Sequence, residues 1–364
     1  MGLLERKRKI LGALVVVLLL LVPVARASAA EPMLYELPIS THAYRLAPAP
    51  DGSIWFAGGH GPLNEKPFVG HWSPAGGLSE TPLSFNRLLG APAVGPQGEV
   101  WFPGNTIGMV SATGELVNRK VPIRAGVWSA AILGGDVWFS SARRAGHSSR
   151  GYIGRLAADG EGPLTQYPLA LRCRVPALTA GTDAIWFVEV CGRDFKEDGY
   201  RASIGRIDAT GKITRHRLGS RLRPSSIALG PDGSVWFGGG RGQLGRATVG
   251  RLTPAGEIVE FDSPGMWPRE LLVVGPEGRA WSPSSTGSWL VDSMNSIGPA
   301  GDLGKPTCLD PGCTLEPTGL ATAPDGTIWF SAGRAINPGG GGGSAIGEAQ
   351  RIAAEAGFIG HLSP

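Results

Sequence analysis

Five arginines stand twelve to fourteen residues ahead of a recurring tryptophan: Arg87, Arg124, Arg174, Arg223 and Arg269. A guanidinium is a planar fork that grips carboxylate or phosphate with two parallel bonds. Arginines at equivalent points of a repeat gather in one place if the repeat turns about an axis. A low-dielectric mouth then focuses their field. The spacing therefore predicts an anionic ligand: a small molecule, an extracellular polymer or a protein. Arg143, Arg144, Arg193, Arg241 and Arg334 fall in loops that the same frame places on that face. The acidic residues there, Glu65, Asp194, Glu197 and Asp198, are confined to two loops.

Two carboxylates hold frame positions of their own. Glu189 follows Trp186 by three residues, and Glu270 precedes Trp281 by eleven. Their hard oxygens would suit magnesium or calcium in a central channel, or would be solvated at its rim. The six histidines (His42, His60, His71, His147, His216, His361) form no His-x-x-x-His pair. His42, His60 and His147 fall toward the arginine face. The four cysteines predict two disulfides in an exported chain. Cys173 and Cys191 are equidistant from Thr182, inside the turn Gly181-Thr182-Asp183, so they should face each other across a hairpin. Their Cα atoms should lie roughly 4.5–5.5 Å apart. Cys308 and Cys313 bracket the turn Leu309-Asp310-Pro311-Gly312.

The elements that must position these groups follow from an internal repeat. One strand signature recurs seven times, centred on Trp55, Trp101, Trp138, Trp186, Trp236, Trp281 and Trp329, at steps of 46, 37, 48, 50, 45 and 48 residues. A turn such as Pro231-Asp232-Gly233 precedes most copies and closes a hairpin with an apolar partner strand. A third strand follows, opening on Val69-Gly70, Ile107-Gly108, Ile153-Gly154, Ile204-Gly205, Val249-Gly250 and Ile346-Gly347. In the sixth copy it is reduced to Trp289-Leu290-Val291-Asp292. A second glycine turn and a fourth strand complete each unit. Four antiparallel strands repeated radially predict an all-β fold, a seven-bladed β-propeller of four-stranded antiparallel blades. The repeated tryptophans belong to the packing between blades. Leu34 to Pro38 is the preferred outer strand of the last blade, with Phe358 to Leu362 the alternative. The connections after the second strands (57–68, 140–152, 188–203, 238–248 and 331–345) read as long loops.

Residues 1–30 stand apart. The basic run Glu5 to Lys9, the apolar stretch Ile10 to Val24 and the small residues Ala25, Ala27, Ser28, Ala29 and Ala30 read as a signal peptide. An uncleaved anchor stays open. Export follows, with one propeller domain over 31–364. The chain has 34 Lys+Arg and 30 Asp+Glu; the leader holds five of the former and one of the latter. The mature chain is thus nearly neutral, which argues against nucleic acid as a partner. It has no membrane span and no dimerisation signal, so a monomer is expected.

These motifs, Gly230 to Phe237 (Gly-Pro-Asp-Gly-Ser-Val-Trp-Phe) and Ile204 to Gly211 (Ile-Gly-Arg-Ile ending on a glycine turn), resemble those of the virginiamycin B lyase family over roughly residues 33–357. The resemblance implies a seven-bladed propeller. It also implies magnesium-dependent elimination by two histidines and a glutamate at the channel mouth. The family places a His eleven residues before the repeat Trp and a Glu three after it. Here the first position holds Tyr44, Gly90, Val127, Val175, Ser225, Glu270 and Thr318. The second holds Gly58, Gly104, Ser141, Glu189, Gly239, Ser284 and Ala332. The pattern is absent. Two classes of function therefore stand. One is a binding or interaction propeller for an anion. The other is an enzyme, either a magnesium-dependent lyase or a metal-dependent lactonase or hydrolase.

Overall fold

The computed structural model describes residues 32–39, 41–60, 66–83, 90–112, 114–119, 126–145, 148–157, 162–192, 200–219, 222–241, 246–268, 271–285, 291–334 and 356–362. Blade five shows how one repeat folds. Its strands are Leu222–Leu229, Val235–Arg241, Arg246–Leu252 and Ile258–Asp262, paired in chain order. In the turn before Trp236, Gly233 takes φ +78°, which L side chains avoid. The Asp232 carboxylate accepts hydrogen bonds from the Ser234 amide (3.0 Å) and hydroxyl (2.9 Å) and pairs with Arg251 at 2.5 Å. Arg251 in turn lies 5.7 Å from the Trp236 ring. The two sequence motifs are thus two ends of one contact.

Alternation does the rest. Val235 and Phe237 face one neighbouring blade and Trp236 the other. Phe237 lies across Gly250 on the third strand, where a Cβ would sit inside its ring. The same Phe-on-Gly pairing recurs in blades one to four and in blade seven. Trp101, Trp138 and Trp236 are fully buried.

Seven such sheets form the fold. Blade seven pairs Leu315–Thr322, Ile328–Arg334, Ala356–Leu362 and Met33–Ile39, so the N-terminal strand is its outer strand. Its third strand carries Ile359-Gly360, opposite Ser331 and Phe330, in place of the expected Ile346-Gly347, which lies outside the described residues. In blade six the third strand is Ser293–Ile297, after the expected Trp289 to Asp292. That shift sets Asn295 opposite Ser282, where the other blades have Gly opposite Phe. The connections read as long loops are in part strand: blade three pairs continuously from Val137↔Leu156 to Ala145↔Ser148.

Hydroxyls join the inner strands of neighbouring blades. Leu178 N–H donates to Ser129 Oγ (3.2 Å), Thr318 Oγ1 to Ala43 O (2.9 Å) and Thr322 Oγ1 to Val274 O (3.0 Å); the Ser226 hydroxyl donates to the Pro268 carbonyl. These bonds tie blades three to four, five to six, six to seven and seven to one across the channel wall. Among the described residues, no helix is long and apolar enough to cross a membrane.

Candidate functional site

The inner strands surround two successive cavities. The first, about 530 Å³, is lined at one end by Arg45, Trp128, Ser129, Arg174, Ser225 and Ser226. The second, about 570 Å³, is lined by the turns that precede the repeat tryptophans, with Asp325 as its charged residue. Ile227 and Leu272 border both, so the cavities are consecutive lengths of one channel. Among the described residues lining the first cavity there are two arginines and no carboxylate. That end is the mouth.

A backbone irregularity places part of this lining. The inner strands of blades one, five and seven each carry one extra residue, between Tyr44 and Leu46, Pro224 and Ser226, and Pro317 and Gly319. Such bulges re-aim a side chain out of the ladder. The bulged residues are Arg45, Ser225 and Thr318, at or beside the frame position eleven before the Trp. Arg45 takes the left-handed φ of +49°. It was not among the arginines singled out by spacing, and Trp128 gave no signal either. A non-glycine bulge has no residue-type signature.

Of the five arginines chosen from the sequence, Arg174 is exposed and lines the mouth. Arg223 is half-buried on the inner strand of blade five. Both act on Tyr200, whose phenol burial pushes up to about 12 against the opposing pull of Arg223 and Arg174. The Tyr200 hydroxyl donates to Leu222 O at 3.1 Å. Arg87, Arg124 and Arg269 lie outside the described residues, as does Glu270. Arg241 is committed to Glu260 at 2.5 Å, with Asp262 at 3.5 Å. Arg143 lies 5.4 Å from the Tyr152 ring. Glu316, which spacing did not mark, is the second residue of the inner strand of blade seven, and partial burial pushes its carboxyl up.

Glu189 is not part of the channel lining. It is 4% exposed and shares the sheet face of Phe187 and Cys191, which packs on blade three. Arg215 grips it with two bonds, of 2.5 and 3.2 Å. Cys173 pairs directly with Cys191 and is disulfide-bonded to it, with a Cα separation of 4.0 Å. Cys308 and Cys313 form the second disulfide, with Cα atoms 4.9 Å apart. The two sulfurs of the first bridge and a Glu189 oxygen lie within 4.8 Å of one another, a buried cluster able to coordinate a metal. To do so it must lose the disulfide and the Arg215 bond. Its sulfur-rich donor set then suits zinc, not magnesium or calcium. Of the two predicted metal ligands, Glu189 is buried between blades three and four and Glu270 lies outside the described residues, so no predicted ligand is among the described residues that line the channel.

The histidines divide in the same way. His60 Nε2 lies 2.7 Å from Glu80 Oε2, and its Nδ1 3.4 Å from Thr41 Oγ1. The order is that of nucleophile, base and acid, but Thr41 is wholly buried and has no access to substrate. Burial, then the charge of His60, lowers the His42 pKa. His147 lies outside the described residues.

No protein-family model matches the chain, and no curated protein matches it. Solved structures do. A catalytically inactive virginiamycin B lyase from Staphylococcus aureus with quinupristin aligns at 21% identity and a TM-score of 0.63, covering 90% of this chain and 99% of that one. Polysaccharide lyase Uly1 aligns at 8% identity and a TM-score of 0.57, covering 90% and 91%. A cobalt-substituted Synechocystis ACO aligns at 10% and 0.53, covering 92% and 94%. The blade count, the strand order and the first of these alignments agree: the chain is a seven-bladed β-propeller related at the level of the fold to the virginiamycin B lyases and divergent from them in sequence.

Proposed function

We propose that the protein, exported by its N-terminal leader, takes an anionic ligand at the arginine-bearing mouth of its channel. The observation that carries this is the lining itself: Arg45 and Arg174 on one end of a cavity of about 530 Å³, with no carboxylate among the described lining residues. Water is partly excluded there, so each guanidinium–carboxylate contact is worth more than on an open surface.

The likeness to two lyases favours a further step, elimination, over passive recognition. Elimination next to a carboxylate needs that carboxylate neutralised, a base for the adjacent C–H proton and an acid for the leaving oxygen. Arg45 and Arg174 serve the first need.

The test is titration of galacturonate oligomers at low and high salt, followed by ultraviolet detection of an unsaturated product. Binding should weaken about tenfold in Arg45→Ala/Arg174→Ala, as expected for loss of charged hydrogen bonds. Salt-insensitive binding, equal in both proteins, would remove the arginines as the recognition element. Tight binding with no product would leave recognition alone as the function.

A further inference from the structure

The tryptophans of this fold fall into two populations. Trp289 lies outside the described residues. Of the other ten, eight pack between blades: the seven repeat tryptophans and Trp72. Trp128 and Trp267 belong to none of these clusters. They also hold the same place in the repeat. The Trp128 amide donates to Ser140 O at 3.1 Å, and the Trp267 amide to Pro283 O at 2.7 Å. Ser140 and Pro283 each stand two residues after a repeat tryptophan, Trp138 and Trp281. The residue before each is sunk in a between-blade core: Val127 is 0% exposed and Met266 2%. Each indole is therefore carried on backbone held by its own amide and by a buried predecessor.

Both places belong to the mouth. Trp128, half-buried, lines the first cavity with Arg45 and Arg174. Trp267 is 48% exposed, and the carbonyl of its successor Pro268 accepts the hydroxyl of Ser226, which lines the same cavity. The two arginines stand on blades one and four, and the two tryptophans lead into blades three and six. Groups borne by four different blades favour an extended ligand over a compact anion. Each guanidinium can then take a carboxylate of its own. The face of an indole is apolar and electron-rich, and it attracts the flat C–H face of a saturated ring. An indole already held in place loses little freedom on stacking. A uronate unit supplies both partners, one carboxylate and one C–H face, and its polymer repeats them; an acidic peptide supplies carboxylates without the flat faces. We infer that the ligand is a linear acidic oligosaccharide of uronate rings, with Trp128 and Trp267 as stacking platforms for its sugars and Arg45 and Arg174 on separate carboxylates. This deepens the anion reading above and rests on it.

The experiment is calorimetric titration of the whole protein with hexagalacturonate, end-capped hexaglutamate and maltohexaose at one salt concentration. Hexagalacturonate should bind about tenfold more tightly than hexaglutamate, which matches its charge, or maltohexaose, which matches its rings. Trp267→Ala should weaken hexagalacturonate about tenfold, the scale of one lost stacking contact, and hexaglutamate hardly at all. Trp267→Phe should restore most of that loss, because it returns an aromatic face. Hexaglutamate binding as tightly as hexagalacturonate would overturn this inference and leave the anion reading standing. So would a Trp267→Ala protein that binds both anions as the natural chain does. Maltohexaose matching hexagalacturonate would overturn the anion reading itself and this inference with it, as would a failure of both anions to bind. The comparison of three ligands on the unaltered protein needs no variant to fold.

Discussion

Glu189 shows how one residue type can carry two meanings. As the one acidic side chain three residues after a repeat tryptophan, it reads as a metal ligand. In the fold it is 4% exposed and held by Arg215, whose own side chain is 40% exposed. A buried carboxylate needs such a partner, because desolvation of an unpaired charge outweighs most of what packing returns. Loss of one partner from a fully buried pair costs about 3–5 kcal/mol. Solvent around Arg215 screens this pair, so Arg215→Ala should cost less, about 1–3 kcal/mol. Glu189→Gln combined with Arg215→Ala should recover part of the loss, since the orphaned charge is gone. Urea unfolding of the four proteins of the cycle measures this. Equal losses in Arg215→Ala and the double variant would show that the pair contributes nothing through its charge.

Among the elements, the third strand of each blade is built for a phenylalanine that comes from the second. Gly205 takes the Phe187 ring in blade four, and a Cβ at Gly205 would overlap Phe187 Cζ. Gly205→Ala should therefore destabilise by about 1–3 kcal/mol, the usual cost of overpacking. Blade six lacks the pairing: Ser282 faces Asn295, and the Ser282 hydroxyl is buried without a hydrogen-bond partner. Ser282→Phe alone should clash with Asn295. Ser282→Phe with Asn295→Gly restores the repeat and should gain about 0.5–2 kcal/mol, so the two changes are strongly non-additive. Thermal unfolding decides it; a double variant no more stable than Ser282→Phe alone would refute the pairing as the unit of blade stability.

The same pairing explains what the sequence could reveal. Tryptophan spacing, turns and the Ile-Gly step are local and repeat, so the seven blades were legible. So was the Cys173–Cys191 bridge, because hairpin register is arithmetic. Ile346-Gly347 and Ile359-Gly360 both satisfy the local pattern, and only registration of Gly360 on Phe330 separates them. Blade six hid its third strand because Ser and Asn replace the marker residues. At the mouth, spacing marks Arg174, which lines the first cavity. Arg45 depended on a bulge, and Glu189 on a partner in the outer strand, which spacing along one strand cannot show.

At the scale of the whole ring, the seam where its two ends meet differs from the other joints. In blades three to five the residue opposite the repeat tryptophan is an arginine: Arg155, Arg206 and Arg251. Each pairs with an aspartate near the preceding turn. In blades one and seven the same position holds His71 and His361. His71 stacks on Trp55 at 4.3 Å, and His361 lies 4.7 Å from Trp329. Tyr35 of the closing strand lies 4.4 Å from Trp72 and 6.5 Å from His361, and Trp72 is 5.6 Å from Trp329. The joint between chain ends is thus an aromatic cluster that contains the His361 imidazole, while His71 and Trp55 lie at the next joint, between blades one and two. Desolvation lowers both histidine pKa values below 6.5, with Asp51 and Asp325 pulling weakly the other way. A depressed histidine pKa means that the unfolded chain binds protons first as pH falls. The stability from these residues is therefore complete above about pH 6.5 and is lost as pH drops from there through the folded-state values. A separate loss begins below about pH 4, where Asp51, held down by its hydrogen bond to Ser53, takes up its proton. His71→Arg/His361→Arg should put permanent cations on Trp55 and Trp329, within the reach their counterparts have to the turn aspartates. Melting temperatures at pH 7 and pH 5 then separate the causes. The natural chain should melt lower at pH 5, and the arginine variant should hold most of its melting temperature across that interval. His42, whose pKa burial also lowers, is the competing source. If the arginine variant falls as steeply as the natural chain while His42→Asn does not, acid sensitivity belongs to the start of blade one's inner strand and not to these two histidines.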